Sequence, residues 1–193
     1  METKRAERPT LEQLNRELDR RNHRTAYGRA MRGTIWTLVV VSAVAIICST
    51  FFFSVLQIQG TSMEPNLEDE QLVVASKAKQ FNTGDIIAFY YNNKVLLKRA
   101  VGFPGDWINI DENGNVFVNG EQLDEPYVQE KTLGQCDIKL PYQVPDGRWF
   151  VLGDHRATSV DSRSKVIGTV AKEQVIGKIV FRIWPLSKFG RIE

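Results

Sequence analysis

Hydrophobic and polar positions divide the chain into two textures that meet near residue 57. From Thr34 to Met63 no residue is charged, and Ile35 to Ile58 is dominated by Val, Ile, Leu, Phe, Ala and Trp. An apolar run of this length predicts a transmembrane helix over residues 34–56, because about 20 helical residues cross the hydrocarbon core of a bilayer. A cleaved secretory signal is the competing reading, but its apolar region runs only about 7 to 15 residues and ends at an Ala-x-Ala-like site. No Ala-x-Ala follows Phe53.

Upstream of the span, Leu11, Leu14 and Leu18 recur at spacings of three and four among Glu and Arg, which predicts a short amphipathic helix with a solvated or membrane-surface role. Downstream the texture changes to short runs rich in Val, Ile, Phe and Tyr. Gln71 to Ala75, Asp85 to Tyr91, Val95 to Val101, Trp107 to Ile110 and Val116 to Val118 read as strands, followed by Arg148 to Leu152, Ile167 to Val170 and Val175 to Trp184. Asn92-Asn93, Asn113-Gly114-Asn115, Asn119-Gly120 and Pro145-Asp146-Gly147 punctuate them with residues that tolerate turn conformations. The pattern predicts a mostly β fold, a single barrel- or sandwich-like domain carried on one N-terminal transmembrane helix. The organisation is then a cytoplasmic segment over 1–33, the span over 34–56 and an extracytoplasmic β domain over 57–193, a length that suits one core better than two.

Charge sets the direction of the span. The first 33 residues hold nine Lys or Arg against five Asp or Glu, and Arg20, Arg21, Arg24, Arg29 and Arg32 crowd the apolar run. The amino end is therefore expected in the cytoplasm. Taking those nine from 25 leaves 16 basic residues beyond the span, and taking five from 23 leaves 18 acidic ones, a net of minus two outside. The overall positive charge thus reports topology, and the external domain offers no basic face for nucleic acid. Cys48 falls within the span and Cys136 far beyond it, so no internal disulfide is expected, and neither has metal-ligand spacing. No phosphate loop or nucleotide motif is present, and no metal or other cofactor is expected.

Candidate chemistry begins at Ser62, just beyond the span in Gly60-Thr61-Ser62-Met63-Glu64-Pro65. A serine hydroxyl is a weak nucleophile at neutral pH and needs a neighbouring base. His23 and His155 are the histidines of the chain; His23 precedes the span, so His155 is the one available to a Ser-His-Asp arrangement. Lys98 offers another route, because Val95, Leu96 and Leu97 surround it with apolar side chains, and burial draws an amine toward a pKa of roughly 7 to 8, where it works as a base. Strand alternation would put Leu96 and Lys98 on one face and Leu97 with Arg99 on the other, leaving Arg99 in need of its own acidic partner. A tethered β domain that binds an external partner without chemistry stays open at this point.

Four ordered segments alter that balance: Gly60-x-Ser62-Met63-x-Pro65-x-Leu67, then Gly84-Asp85-Ile86-Ile87, then Lys98-Arg99-Ala100-Val101-Gly102-x-Pro104-Gly105-Asp106, then Gly153-Asp154-His155-Arg156-x-x-Ser159-x-Asp161-Ser162-Arg163. Block by block and in order, the chain resembles the bacterial, Ser-Lys dyad type I signal peptidases from the anchor to about Trp184. The resemblance implies a membrane-bound serine endopeptidase with a β catalytic domain that removes signal peptides from exported preproteins at the outer face of the bacterial plasma membrane. It implies Ser62 as nucleophile through an acyl-enzyme, Lys98 as neutral general base, and Ser159 as the hydroxyl that holds the lysine amine in line. Asp154, Asp161 and Arg163, with Arg99, would form an ion-pair scaffold beneath them.

The same resemblance places small apolar pockets for Ala-x-Ala ends between the strand before Ser62 and the one ending in Lys98, which makes Ile58, Met63, Leu96 and Leu97 the lining candidates. Ordinary core packing is the alternative use of those four side chains. The implied partners are secretory preproteins and membrane lipid, which Phe81, Trp184, Ile183 and Leu186 are candidates to touch. Relatives commonly carry Asn at the places of His155 and Thr158, and some carry a hydroxyl residue at Gly60 that donates to the oxyanion. The backbone N–H of Ser62 supplies one such donor, and the second is left unassigned. Ser162-Arg163-Ser164-Lys165 also fits the Ser-x-x-Lys pattern of penicillin-binding enzymes, without its companion segments.

Overall fold

The computed structural model describes residues 10–78 and 80–192. It divides into two compact units, residues 1–49 and residues 50–193. The first nine residues of the expected cytoplasmic segment lie outside the described residues.

A single helix, α1 (Leu11–Phe52), occupies 42 residues. The short amphipathic helix and the apolar span expected as separate elements are therefore continuous. No proline falls between Leu11 and Phe52, so nothing removes a backbone donor or forces a break. Tyr27–Phe52 is long and apolar enough to cross a membrane, and none of its most apolar window is buried within the chain. An apolar helix uncovered by protein suits a lipid environment, where each side chain keeps the benefit of leaving water.

The apolar run stays helical to Phe52 and is extended from Phe53 onward. β1 (Phe53–Gln57) pairs antiparallel with β2 (Leu72–Ser76), Phe53 opposite Ser76 and Gln57 opposite Leu72. The main sheet continues through β11 (Val175–Trp184), β3 (Ile86–Tyr91), β4 (Lys94–Gly102), β9 (Arg148–Leu152) and β10 (Val170–Ala171), with β12 (Gly190–Arg191) on the outer part of β11. A second sheet of β7 (Glu121–Gln122), β6 (Val116–Val118), β5 (Trp107–Ile110) and β8 (Tyr142–Gln143) is inserted between β4 and β9. Every strand pair among the described residues is antiparallel, and the mostly β reading of the sequence holds.

Period-2 alternation sorts the side chains into three apolar clusters. Ile58, Met63, Leu67, Val73, Ala75, Ile86, Ala88, Leu97 and Ile179 form one, and Ile87, Phe89, Ala100, Trp149, Val151, Val170 and Val175 another. The third joins β5 and β6 to β4 and β9 through Val101, Ile108, Ile110, Val116, Phe150 and Leu152. Each fully buried aliphatic or aromatic side chain contributes roughly 1.5–3 kcal/mol relative to exposure. One local expectation changes. Residues 167–169 lie outside the sheet, because Gly168 donates from its N–H to the Ser164 carbonyl and accepts from Ser162 Oγ, so only Val170 of that segment is strand. Phe81 is half-buried, edge-to-face on Trp149 with ring centroids 5.5 Å apart.

Candidate active site

The turn after β1 carries Ser62. Gly60 enters it at φ +92, a left-handed conformation that only glycine adopts without strain, and its N–H donates to Asp69 Oδ1 at 2.8 Å. Ser62 is half-buried, and its carbonyl accepts the backbone N–H of His155 at 3.1 Å. That bond ties the turn to the segment that follows β9.

β4 brings Lys98 to the same place. Its cross-strand partner is Ile87, while the flanking Leu97 and Arg99 oppose Ala88 and Ile86. Leu96 packs with Ile87 and Leu97 with Ala88, so Lys98 and Arg99 leave the strand on opposite faces as alternation requires. Lys98 is 3 % exposed, and its Nζ lies 2.6 Å from Ser62 Oγ and 3.1 Å from Ser159 Oγ. Burial draws its pKa down to about 8; the Arg163 charge pushes the same way, and Asp161 and Asp154 oppose it.

Beneath these three groups are buried arginine–carboxylate pairs. Arg99 clasps Asp154 through Nε at 2.9 Å and a terminal nitrogen at 2.7 Å, donates to the Gly84 carbonyl at 2.6 Å, and has its guanidinium carbon 3.7 Å from the Tyr127 ring centroid. Arg163 clasps Asp161 at 2.9 Å through both Nε and a terminal nitrogen, and donates to the carbonyls of Leu133 and Arg156. Asp161 Oδ2 also accepts the N–H of Gly153 at 3.0 Å. Planar two-point pairing of this kind fixes orientation as well as charge.

A third pair escaped the sequence reading. Arg156 donates to both carboxylate oxygens of Glu125, at 2.5 and 3.3 Å, and from Nε to the Gly153 carbonyl at 3.0 Å. Thirty-one residues separate the partners, and no spacing rule links them. Asn66 was likewise missed; its Nδ2 donates to Asp154 Oδ2 and to the Tyr127 carbonyl. The ring Nδ1 of His155 lies 2.9 Å from Thr158 Oγ1, so its bonded partner is a threonine of its own loop and Ser62 Oγ is partnered by Lys98.

Of the lining candidates, Ile58, Met63 and Leu97 share one apolar cluster, whereas Leu96 packs against the other. All three in the shared cluster are buried among core residues.

Gly153 is where these parts converge. A Cβ there would stand 2.1 Å from Ser159 Oγ and 2.7 Å from the Ser62 carbonyl oxygen. Gly153→Ala is expected to lower catalytic efficiency by about 100-fold, the scale of loss for a small misplacement of reacting groups. Peptide-cleavage kinetics read this directly, and unchanged kcat/KM would show that the close approach is not needed.

A serine hydroxyl and a buried lysine amine thus stand together on a β domain that follows an apolar helix. Residues 31–184 match the family model described as signal peptidase, peptidase S26. Signal peptidase I of Bacillus caldolyticus is 36% identical over 176 residues, spanning 82% of this chain and 94% of its own. Signal peptidase IB of Staphylococcus aureus is 33% identical over 175 residues, covering 80% of this chain and 90% of its own. A crystal structure of a signal peptidase I from Enterococcus faecalis aligns at 31% identity with a TM-score of 0.43, covering 51% of this chain and 96% of that one. The chain belongs to the S26 signal peptidase family, and it is a serine peptidase of the kind that removes signal peptides.

Proposed function

We propose that the chain cleaves signal peptides from secretory preproteins through a Ser62–Lys98 dyad and an acyl-enzyme. The observation that carries this reading is the 2.6 Å approach of Lys98 Nζ to Ser62 Oγ, with the amine's pKa near 8. A neutral Lys98 takes the proton of Ser62 as Oγ attacks the scissile carbonyl, and then gives it to the departing amine. Water, deprotonated by the same lysine, releases the signal peptide from Ser62. Ser159 orients the amine at 3.1 Å, and the pairs Arg99–Asp154 and Arg163–Asp161 hold the segment that carries it. For the oxyanion, the N–H of Ser62 is a donor with no acceptor among the described residues. The Gly60 N–H is engaged by Asp69, so the second donor comes from elsewhere.

Residues 57–193 are, in this reading, the extracytoplasmic catalytic domain and residues 1–33 the cytoplasmic segment, following the excess of Lys and Arg before the span. Ser62 comes ten residues after the last helical residue, Phe52. An extended preprotein segment would place small side chains near Ile58, Met63, Leu96 and Leu97. Trp184 and Leu186 are exposed and suited to the interfacial layer of a bilayer. The detergent-solubilised chain, given a preprotein with an Ala-x-Ala end, is expected to cut immediately after it. Sequencing the new amino terminus reads the site of cleavage; absence of cleavage, or cleavage elsewhere, overturns the reading.

A further inference from the structure

Lys77 marks a boundary the dyad does not use. Its N–H donates to the Phe52 carbonyl at 2.9 Å and its Nζ to the Thr50 carbonyl at 2.8 Å, so an ammonium caps the carboxyl end of α1, where the helix dipole favours positive charge. Its neighbour Ser76 pairs across the sheet with Phe53, the residue directly after the helix, and on its other side with Lys178. One strand row therefore reads Phe53, Ser76, Lys178. The next reads Val55, Val74, Phe181, Arg191. Cross-strand partners share a sheet face. That face is apolar beside the helix end, with Phe53 46% and Val55 62% exposed, and basic farther across.

Between these rows and the β2–β3 loop lies a cavity of about 370 Å³, separate from the dyad and lined in part by Ser76, Gln80, Asp85, Lys178 and Arg191. Lys178 is bound to Asp85 at 2.7 Å and keeps 30% of its side chain exposed. Arg191 has no carboxylate partner among the described residues. Among the described residues that line the cavity, two cations stand against one carboxylate. Ser76 and Gln80 add neutral hydrogen-bonding groups. Phe189 leans on Phe181 at a centroid separation of 5.6 Å, and both rings are exposed next to Arg191.

A cavity with spare positive charge, exposed aromatic rings at its edge, and a wall one strand away from the end of an apolar span has the chemistry of a lipid headgroup site. We propose that it holds the phosphate of an anionic phospholipid, with Arg191 and Lys178 on the phosphate oxygens and the acyl chains leaving over Phe53 and Val55. Charge near a membrane surface supplies the attraction, and the aromatic rings supply interfacial anchoring. The inference rests on Tyr27–Phe52 being the membrane anchor, and it leaves the peptidase chemistry untouched.

Native mass spectrometry of the detergent-solubilised full chain, titrated with phosphatidylglycerol or phosphatidylcholine, tests it. The wild type is expected to retain one phosphatidylglycerol at least tenfold more tightly than phosphatidylcholine, and Lys178→Gln with Arg191→Gln to lose that preference. Ser76→Glu, which keeps the Lys178–Asp85 pair and adds a carboxylate to the cavity, should lose it as well. Lys94→Gln with Lys139→Gln removes the same charge from exposed positions elsewhere and should retain it. Equal retention by all variants, equal loss from both double variants, or displacement of the lipid by millimolar inorganic phosphate overturns the proposal. Preprotein cleavage by the Lys178, Arg191 variant should stay at wild-type level in detergent, which separates failure of this site from failure of the dyad.

Discussion

Lys98→Arg and Ser62→Ala are each expected to lower preprotein cleavage by a factor on the order of 10⁴ to 10⁶, the cost of removing one member of a nucleophile–base unit. The arginine variant is the sharper test. It keeps a positive charge in a similar volume, yet a guanidinium does not lose its proton in a protein and cannot accept the one on Ser62. A buried lysine with a pKa of about 8 behaves otherwise. Below that value the amine is charged and unable to act as a base, so wild-type kcat/KM should rise with pH and reach half its plateau near 8. Two results would sink the dyad: an arginine variant that cuts like the wild type, or a profile already flat well below pH 8.

Removing Arg163 should have the largest effect on stability. Asp161 is fully buried, and its charge is matched by two bonds from Arg163. Arg163→Met leaves that carboxylate uncompensated and strips donors from the carbonyls of Leu133 and Arg156, at a cost of roughly 3–5 kcal/mol. Urea unfolding of the detergent-solubilised chain measures it, and an unchanged midpoint would falsify the structural role. The pH profile supplies an independent sign. Arg163 helps keep the Lys98 pKa low, so its loss should move the activity midpoint to higher pH. Asp161→Leu with Arg163→Met should regain much of the stability, because no unpaired charge remains buried. The midpoint should then move to lower pH, since Asp161 is the stronger of the two influences on Lys98.

The parts legible in the sequence are those with a period or a local cause. An unbroken apolar run announced the helix, and alternation over Val95 to Val101 announced β4 together with the divergence of Lys98 and Arg99. The alternation also required an acidic partner for Arg99, which is Asp154. Other features have no local signature. The continuity of α1 across the polar residues before the span depends on the absence of a breaker, a weaker signal than an amphipathic stripe. The pairing of Glu125 with Arg156 depends on how the inserted sheet returns to β9, which no spacing encodes. Ile58, Met63 and Leu97 show a different kind of ambiguity. Core and substrate pocket call for the same aliphatic side chains, so burial of all three is common to both uses.

The bond from His155 to the Ser62 carbonyl, and the clasp of Arg163 on Asp161, make the Ser62 turn depend on residues far along the chain. A chain synthesised from its amino end completes Ser62 first, Lys98 later, and residue 163 later still. Until that last stretch is present, the segment bonded to the Ser62 carbonyl lacks the Arg163 clasp on Asp161. The approach of Ser62, Lys98 and Ser159 is thus a product of the whole β domain and of no single segment of it.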